Sequence, residues 1–221
     1  MKRSPKKIVH IYFECQKKDS SEIWYFQILQ RHLDNVTFEF YTKQTEFRRL
    51  AKKNKNEDEC FVAVLDVDID YKNLEVSKKA RMDIIELFAK SPNVEVYLSS
   101  RCWENWLIGH FVDFNQYTTN DTHIPIPDYK KQRKWYTANQ DLLMATLNMA
   151  IQRCVKQRRV GYDHNCIPAD CDEIPDLKIR SLSLKIIELC NPISYIDILI
   201  KKIYKMNGTS LESVSTDKVP N

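Results

Sequence analysis

Glycine is scarce in this chain, which has only Gly109, Gly161 and Gly208 among its 221 residues. Phosphate-binding loops and dinucleotide-binding turns need several closely spaced glycines, so neither kind of site is expected here. Long apolar runs are also lacking, and no stretch approaches the ~20 residues that a membrane-spanning helix requires. We therefore expect no membrane partner and no cofactor held by a glycine-rich loop.

The cysteines follow no disulfide or zinc pattern. There are seven, an odd number at irregular spacing. His164, Cys166 and Cys171 lack a fourth ligand and the usual Cys-x-x-Cys pair, so we interpret their spacing as chance. The basic start, Met1–Lys7, leads only into a short apolar run, which is not typical of a secretory signal. These features predict reduced thiols and a cytoplasmic location.

The composition is typical of a globular protein, with 43% hydrophobic and 29% charged residues. The length suits one substantial core with an extension. We predict an α/β core over 8–115, a helical extension packed on it over 116–206, and a flexible tail over 207–221. The net charge of +4 permits a nucleic-acid partner without requiring one.

Strand and helix patterns alternate through the first half of the chain. This order indicates an α/β fold in which a mostly parallel four-stranded sheet is flanked by helices, with a helical extension at the carboxyl end. The predicted strands are Ile8–Phe13, Val36–Tyr41, Cys60–Leu65 and Val94–Leu98. The predicted helices begin at Glu22 and near Trp103 and cover Glu46–Lys55, Leu74–Lys90, Asn139–Arg159, Leu177–Cys190 and Ser194–Met206.

Three carboxylates follow the uncharged strand Cys60–Leu65. Asp66, Asp68 and Asp70 would share one face if the strand persisted, with no base among them. Like charges this close raise one another's pKa values, and a bound divalent cation such as Mg²⁺ relieves the repulsion. The alternative is a solvated acidic turn after a core strand.

Glu14 and Glu104 have similar positions, because each follows a predicted strand. Ligands of open α/β sheets bind at the carboxyl ends of the strands. We therefore expect Glu14, Asp66–Asp70 and Ser99–Glu104 along one edge of the sheet. Glu104, just inside a helix, is equally well explained as a partner of the helix dipole.

A basic and aromatic segment precedes the carboxyl helices. Its side chains can follow a phosphate backbone, and an aromatic ring there can stack on an unpaired base. A solvated charged face is the alternative, which we prefer for the basic helix Arg48–Lys55. The candidate nucleic-acid contacts are Lys130, Lys131, Arg133, Lys134 and Trp135.

These motifs resemble known families. A strand ending in Glu14, followed by a helix–strand unit and a strand ending in Asp66-Val67-Asp68, resembles the Toprim fold of topoisomerases, primases and OLD-type nucleases. The sequence Cys-Trp-Glu-Asn-Trp-Leu-Ile-Gly-His-Phe at 102–111 is similar to the Cys-Phe-Glu-x-Trp-Leu-Leu-Leu-His-Phe signature of the RloB-like family. Further landmarks of that family resemble Glu22–Phe26, Tyr129–Lys131 and Asn191–Ser194.

The resemblance implies a metal-dependent Toprim nuclease that cleaves DNA or RNA in anti-phage (abortive-infection) defence, under the control of an ATPase partner. It assigns Asp66 and Asp68 to Mg²⁺ or Mn²⁺ and Glu14 to acid–base catalysis or a shared metal contact. Asp70, Glu104 and Glu22 take supporting or second-metal roles. A homodimer that cuts two strands is also compatible with it.

Three questions stay open at this point. His110 can contact a scissile phosphate, although a buried core histidine is the more common case. Cys15 stands where Toprim proteins usually have glycine, which leaves open an inactive nucleic-acid-binding or regulatory subunit. A toxin-like endonuclease acting on one RNA, such as a tRNA, is the third alternative.

Overall fold

The structure, a computed structural model, describes residues 6–15, 20–67, 71–100, 103–111, 133–161 and 193–211. Several predictions concern positions outside these ranges. They are the roles of Asp68, Asp70, Lys130 and Lys131, the spacing of His164, Cys166 and Cys171, the helix at Leu177–Cys190 and the tail beyond 211. The side chain of Glu104 is also outside the description, although its backbone is included.

Four parallel strands form the centre of the fold. They are β1 (Lys7–Phe13), β2 (Val36–Tyr41), β3 (Glu59–Val67) and β4 (Val94–Ser100), in the order β2-β1-β3-β4. Their pairings are all parallel, which confirms the predicted sheet. A two-residue strand, β5 (Ile193–Ser194), pairs with β4 in the antiparallel direction.

Helices flank the sheet. Three of them, α1 (Ser21–Gln30), α2 (Gln44–Lys53) and α3 (Leu74–Ala89), connect the parallel strands, and α4 (Glu104–Ile108) follows β4. The carboxyl half contributes α5 (Arg133–Ala138), α6 (Gln140–Ala145), α7 (Leu147–Gly161) and α8 (Ile196–Asn207). In the part of the chain that is described, no helix has the length and apolar character needed to cross a membrane.

Alternation along β1 separates two faces of the sheet. The ring of Phe13 contacts Phe26 of α1. Its neighbour Tyr12 lies on the other face and contacts Phe47 of α2 and Phe88 of α3. The "α1 face" is therefore covered by α1 and the "α3 face" by α2 and α3, as right-handed crossovers between these strands require.

The carboxyl helices pack on the α1 face. Tyr136 of α5 contacts Trp24 of α1 through a ring contact with centroids 5.5 Å apart. Lys202 of α8 forms an ion pair with Glu95, a β4 residue on the same face. The buried core of the sheet thus continues into these helices without a break.

Two local predictions are wrong. The helix predicted over Asn139–Arg159 is divided at Thr146, whose hydroxyl donates to the Leu142 carbonyl at 2.7 Å. The Leu142 carbonyl also accepts the Thr146 N–H at 2.9 Å, so the hydroxyl bond distorts the helix locally without removing its backbone hydrogen bond. Ser194 was expected to open the last helix but pairs with Ser99 in β5, so α8 begins at Ile196.

Candidate active site at the carboxyl edge of the sheet

The carboxyl ends of β1 and β3 lie side by side. Phe13, the last residue of β1, pairs with Val64. Glu14 follows Phe13 directly, and Asp66 lies two residues beyond Val64, where it pairs with Ser99 of β4. Adjacent strands are separated by ~4.8 Å. The backbone therefore brings Glu14 and Asp66 to the same edge of the sheet, which we call the carboxyl edge.

Arg81 of α3 links these two positions. Its Nη1 atom donates to Glu14 Oε2 at 2.6 Å and to the Asp66 main-chain carbonyl at 3.2 Å. The Arg81 and Glu14 side chains are 23% and 24% exposed, so water screens the pair only in part. A cation therefore already neutralises one of the acids at the carboxyl edge.

The two carboxylates approach this edge from different faces. Asp66 shares the α1 face with Val64 and Phe13, because alternate residues of a strand point the same way. The Glu14 carboxylate instead meets Arg81 on the α3 side. One ion shared by both carboxylates would require the Glu14 side chain to leave Arg81.

Carboxylate oxygens are the ligands that Mg²⁺ and Mn²⁺ prefer, so the donor type at the carboxyl edge fits the predicted metal. The guanidinium nitrogen between Glu14 and the Asp66 carbonyl shows that this edge accommodates positive charge. Within the described ranges, however, no group of three or more His, Cys, Asp or Glu side chains is arranged to hold an ion. The predicted ligands Asp68 and Asp70 follow β3 outside those ranges.

Two further acids begin helices. Glu104 is the first residue of α4, which follows β4, so its backbone lies near the same edge as Asp66. Glu22 is in the first turn of α1 and accepts a hydrogen bond from Ser21 Oγ at 3.0 Å. Both positions also suit acids that interact with a helix dipole, the alternative considered for Glu104.

Tyr12 is the titratable neighbour of Glu14 on the α3 face. Burial raises the pKa of Tyr12 to about 12, and the negative charge of Glu14 contributes to the increase. The phenol is therefore protonated at neutral pH. It can donate a proton to a neighbouring oxygen but does not add a negative charge to the carboxyl edge.

His110 lies in the core and is only 2% exposed. Its Nε2 atom is 3.1 Å from the Tyr25 hydroxyl, and its Nδ1 atom is 2.9 Å from Thr146 Oγ1. Both ring nitrogens thus have partners inside the protein. Burial, assisted by the charge of Arg153, lowers the pKa of His110 to about 3, so the ring is neutral. This position favours the interpretation of His110 as a core histidine.

The basic segment is partly described. Arg133 and Lys134 are exposed on α5, and Arg133 Nη2 donates to Gln27 Oε1 at 3.4 Å. Trp135 is half-buried and contacts Phe111 and Tyr136. The side chains of Arg133 and Lys134 are therefore accessible to a ligand, while Trp135 also stabilises the packing of α5.

The contact that sequence reasoning missed is Arg81. Its ion pair joins α3 to the end of β1, 67 positions away in the chain. The available signal was weak: Arg81 precedes the buried Met82 and lies one turn from Ile85, so it borders the face of α3 that packs on the sheet. Its partner depends on how the strands are ordered, which no local pattern reveals.

Comparison with protein-family models gives one clear result. The model of the family described as RloB-like protein matches residues 11–203, which covers most of the chain. Comparisons with curated proteins and with solved structures give no match. The matched range includes the carboxyl end of β1 and all of β3, β4 and α3, and hence Glu14, Asp66 and Arg81. The chain belongs to the RloB-like family.

Proposed function

We propose that this protein is a metal-dependent nuclease of the Toprim type, which cleaves phosphodiester bonds of DNA or RNA. The observation that carries the proposal is that adjacent parallel strands place the backbones of Glu14 and Asp66 at the same carboxyl edge. Two more acids, Asp68 and Asp70, follow Asp66 in the sequence. Clustered carboxylates at this location are what metal-assisted phosphoryl transfer needs.

In this proposal Asp66 and Asp68 would hold a Mg²⁺ or Mn²⁺ ion, with Asp70 and Glu104 in support. The ion, when bound, offsets the charge that develops on the phosphoryl oxygens. Glu14 accepts the proton of the attacking water, as a general base must. Arg81 orients the Glu14 carboxylate through their 2.6 Å hydrogen bond and contributes positive charge near the phosphate.

The exposed bases of α5, Arg133 and Lys134, contact the phosphate backbone in this proposal, together with Lys130 and Lys131. A role in anti-phage defence, control by an ATPase partner, a cytoplasmic location and a homodimeric state remain predictions that derive from the resemblance described above. They concern the setting of the reaction and do not change the assignment of residues.

Two observations favour a second candidate, a nucleic-acid-binding or regulatory subunit without catalysis. Arg81 neutralises Glu14, and Cys15 occupies the position where Toprim proteins usually have glycine. In that case the protein binds nucleic acid in a salt-sensitive manner, but divalent ions produce no cleavage.

Sequencing of RNA and DNA ends after induced expression tests the proposal. Cells that express the wild-type chain should accumulate new ends in one of the two nucleic acids, and Asp66→Asn should abolish them because a ligand of the ion is lost. Ends confined to one tRNA would identify the toxin-like form of the nuclease. Identical end profiles for wild type, Asp66→Asn and an empty vector would leave the binding subunit as the remaining candidate. Equal soluble amounts of both proteins are the control for folding.

A further inference from the structure

A cavity of about 470 Å³ lies on the α1 face, over the outer strand of the sheet. Its volume is in the range of small-molecule sites. It is open to solvent and combines three kinds of side chain: two guanidinium groups, two amides and two phenyl rings. The lining residues are Gln27, Gln30, Arg31, Phe38, Phe40 and Arg133.

Positive charge in this cavity is not balanced by acids of its lining. Arg31 Nη1 donates to the amide oxygen of Gln140 at 2.7 Å, and Arg133 Nη2 donates to that of Gln27 at 3.4 Å. Both acceptors are neutral, so each hydrogen bond orients a guanidinium group without cancelling its charge. Each group also has other N–H donors that these bonds do not use, since a guanidinium carries five. Two cations with spare donors favour an anionic ligand.

The phenyl rings define the other half of the site. Phe40 is half-buried and its ring contacts Phe38 and Phe13, with centroids 6.1 Å apart in each case. Gln30 Oε1 accepts the outward N–H of Phe38 at 3.1 Å, so this amide of the edge strand is not open to an added β-strand. A planar group that stacks on a ring fits here better than an extended peptide. A nucleotide is a ligand that carries both an anionic group and a flat ring.

The cavity and Asp66 share one face of the sheet. Phe40 pairs with Ile11, which pairs with Val62, and Asp66 lies four residues further along β3. Two strand spacings and four residue steps place the Cα atoms of Phe40 and Asp66 roughly 16 Å apart. An extended single strand of a few nucleotides spans that distance, so a base in the cavity leaves a nearby phosphodiester at the carboxyl edge.

We propose that this cavity binds one unpaired nucleotide of a single-stranded nucleic acid, with Arg31 and Arg133 on its phosphates and Phe40 against its base. The inference rests on the proposed nuclease function and adds to it a substrate class, the single strand or unpaired loop. A duplex keeps its bases stacked inside the helix and cannot use the ring. Specificity for an unpaired substrate therefore comes from the cavity over β2 and not from the acids at the carboxyl edge.

The test is fluorescence anisotropy of labelled 12-nucleotide single strands, of RNA and of DNA, with the full chain in EDTA. The Arg31→Gln/Arg133→Gln double variant should bind at least tenfold more weakly than wild type. Its slope of log affinity against log salt should be smaller by about 0.7 for each lost phosphate contact. The matched control, Arg49→Gln/Lys52→Gln, removes the same charge from exposed positions of α2 and should lose no more than a few-fold in affinity.

The contact of Phe40 with the base is tested separately. Phe40→Leu should weaken binding about tenfold with an unchanged salt slope.

Equal affinities of the Arg31→Gln/Arg133→Gln variant and its matched control would overturn the proposal. So would a duplex of the same sequence that binds wild type as tightly as the single strand. Saturation of the cavity by free AMP, with strand binding unaffected by the Arg31 and Arg133 substitutions, would assign it to a free nucleotide instead. Thermal unfolding of each variant shows whether an affinity loss reflects misfolding.

Failure of this inference differs from failure of the nuclease proposal, because EDTA separates binding from cleavage. If strand binding depends on Arg31 and Arg133 but Mg²⁺ or Mn²⁺ never produces cleavage, the nuclease proposal fails and the cavity assignment stands. If cleavage is observed and the Arg31→Gln/Arg133→Gln variant binds and cuts like wild type, only the cavity assignment fails.

Discussion

At the scale of single residues, His110 shows how surroundings decide the role of a side chain. The same ring in a cleft would be a candidate for phosphate contact. Here it lies between Tyr25 and Thr146, and the aromatic rings of Tyr25 and Trp106 contact it at 5.6 and 5.3 Å between centroids. In this position the ring stabilises the junction of α1, α4 and α6.

The buried His110 should make folding sensitive to acid. Burial lowers the pKa of His110 from 6.5 to about 3 in the folded chain. Between these values the unfolded chain binds a proton that the folded chain does not, so the free energy of unfolding decreases as the pH falls. The slope from one such group is at most about 1.4 kcal/mol per pH unit. The variant His110→Gln lacks this group and should show a weaker pH dependence.

Urea unfolding of wild type and His110→Gln at pH 7.5, 6.0 and 5.0 measures the difference. The two proteins should differ most at pH 7.5 and converge as the pH decreases, because the wild type loses the contribution of a neutral buried histidine. Parallel curves across this range would show that His110 does not titrate differently in the folded and unfolded chains.

Arg81 belongs to the same scale, since one side chain decides the charge at the carboxyl edge. By pairing with Glu14 it removes one negative charge from the edge and holds that carboxylate toward α3. A metal ion held by Asp66, as proposed above, would therefore meet a neighbouring cation as well as the acids. In the proposed function, the balance between this cation and the acids would set how tightly the carboxyl edge binds the metal ion.

At the scale of elements, a buried ion pair between Arg158 and Asp197 stabilises the packing of α7 against α8. The guanidinium of Arg158 donates from Nη1 to Asp197 Oδ1 at 2.5 Å and from Nη2 to Asp197 Oδ2 at 2.7 Å. Nη1 also donates to the Ser194 carbonyl of β5 at 2.6 Å, and both side chains are at most 1% exposed. Burial alone would lower the pKa of Arg158, but the bonds to Asp197 outweigh it and raise the pKa.

Removing one partner of this pair should be costly, because the other charge is left buried. Asp197→Asn should lower the free energy of unfolding by about 3–5 kcal/mol. The control Glu95→Gln breaks the more exposed pair between β4 and Lys202 of the same helix, and should cost no more than about 1 kcal/mol. Urea unfolding at pH 7.5 compares them. Equal losses for the two variants would show that the buried pair is no stronger than the exposed one.

The sequence predicted the elements that a local pattern defines and missed those that depend on distant residues. The four parallel strands were predictable because each is a short apolar or alternating run, rich in β-branched and aromatic residues, that needs no distant partner to be recognised. β5 was not, since two residues carry no period and its place depends on Ser99 and Arg158, both far away in the chain. The break at Thr146 escaped the helix pattern because it depends on a hydroxyl and a distant histidine.

The candidate site was also predictable only in part from the sequence. That Glu14 and Asp66 emerge at one edge follows from the parallel direction of the strands, which the alternation of strands and helices predicts. That their carboxylates belong to different faces depends on the register between β1 and β3 and on Arg81. Register and long-range ion pairs leave no trace in a local pattern, so this part of the geometry needed the structure.

At the scale of the whole molecule, the proposed function gives the two faces of the sheet different roles. The α3 face carries Arg81 and a packed set of aromatic side chains, which positions Glu14. The α1 face carries Asp66, the cavity lined by Arg31 and Arg133, and the exposed bases of α5. A single strand on the α1 face would run from the cavity to the acids, and the reaction would take place where the two faces meet.

The central claim is that acids at the carboxyl edge bind a divalent cation, and Mn²⁺ binding measured by electron paramagnetic resonance on the purified chain tests it most directly. The account predicts that Asp66→Asn weakens binding at least tenfold, that Arg81→Gln strengthens it because a competing cation is removed, and that Glu57→Gln, an exposed acid before β3, leaves it unchanged. Wild-type Mn²⁺ affinity in Asp66→Asn would contradict the account.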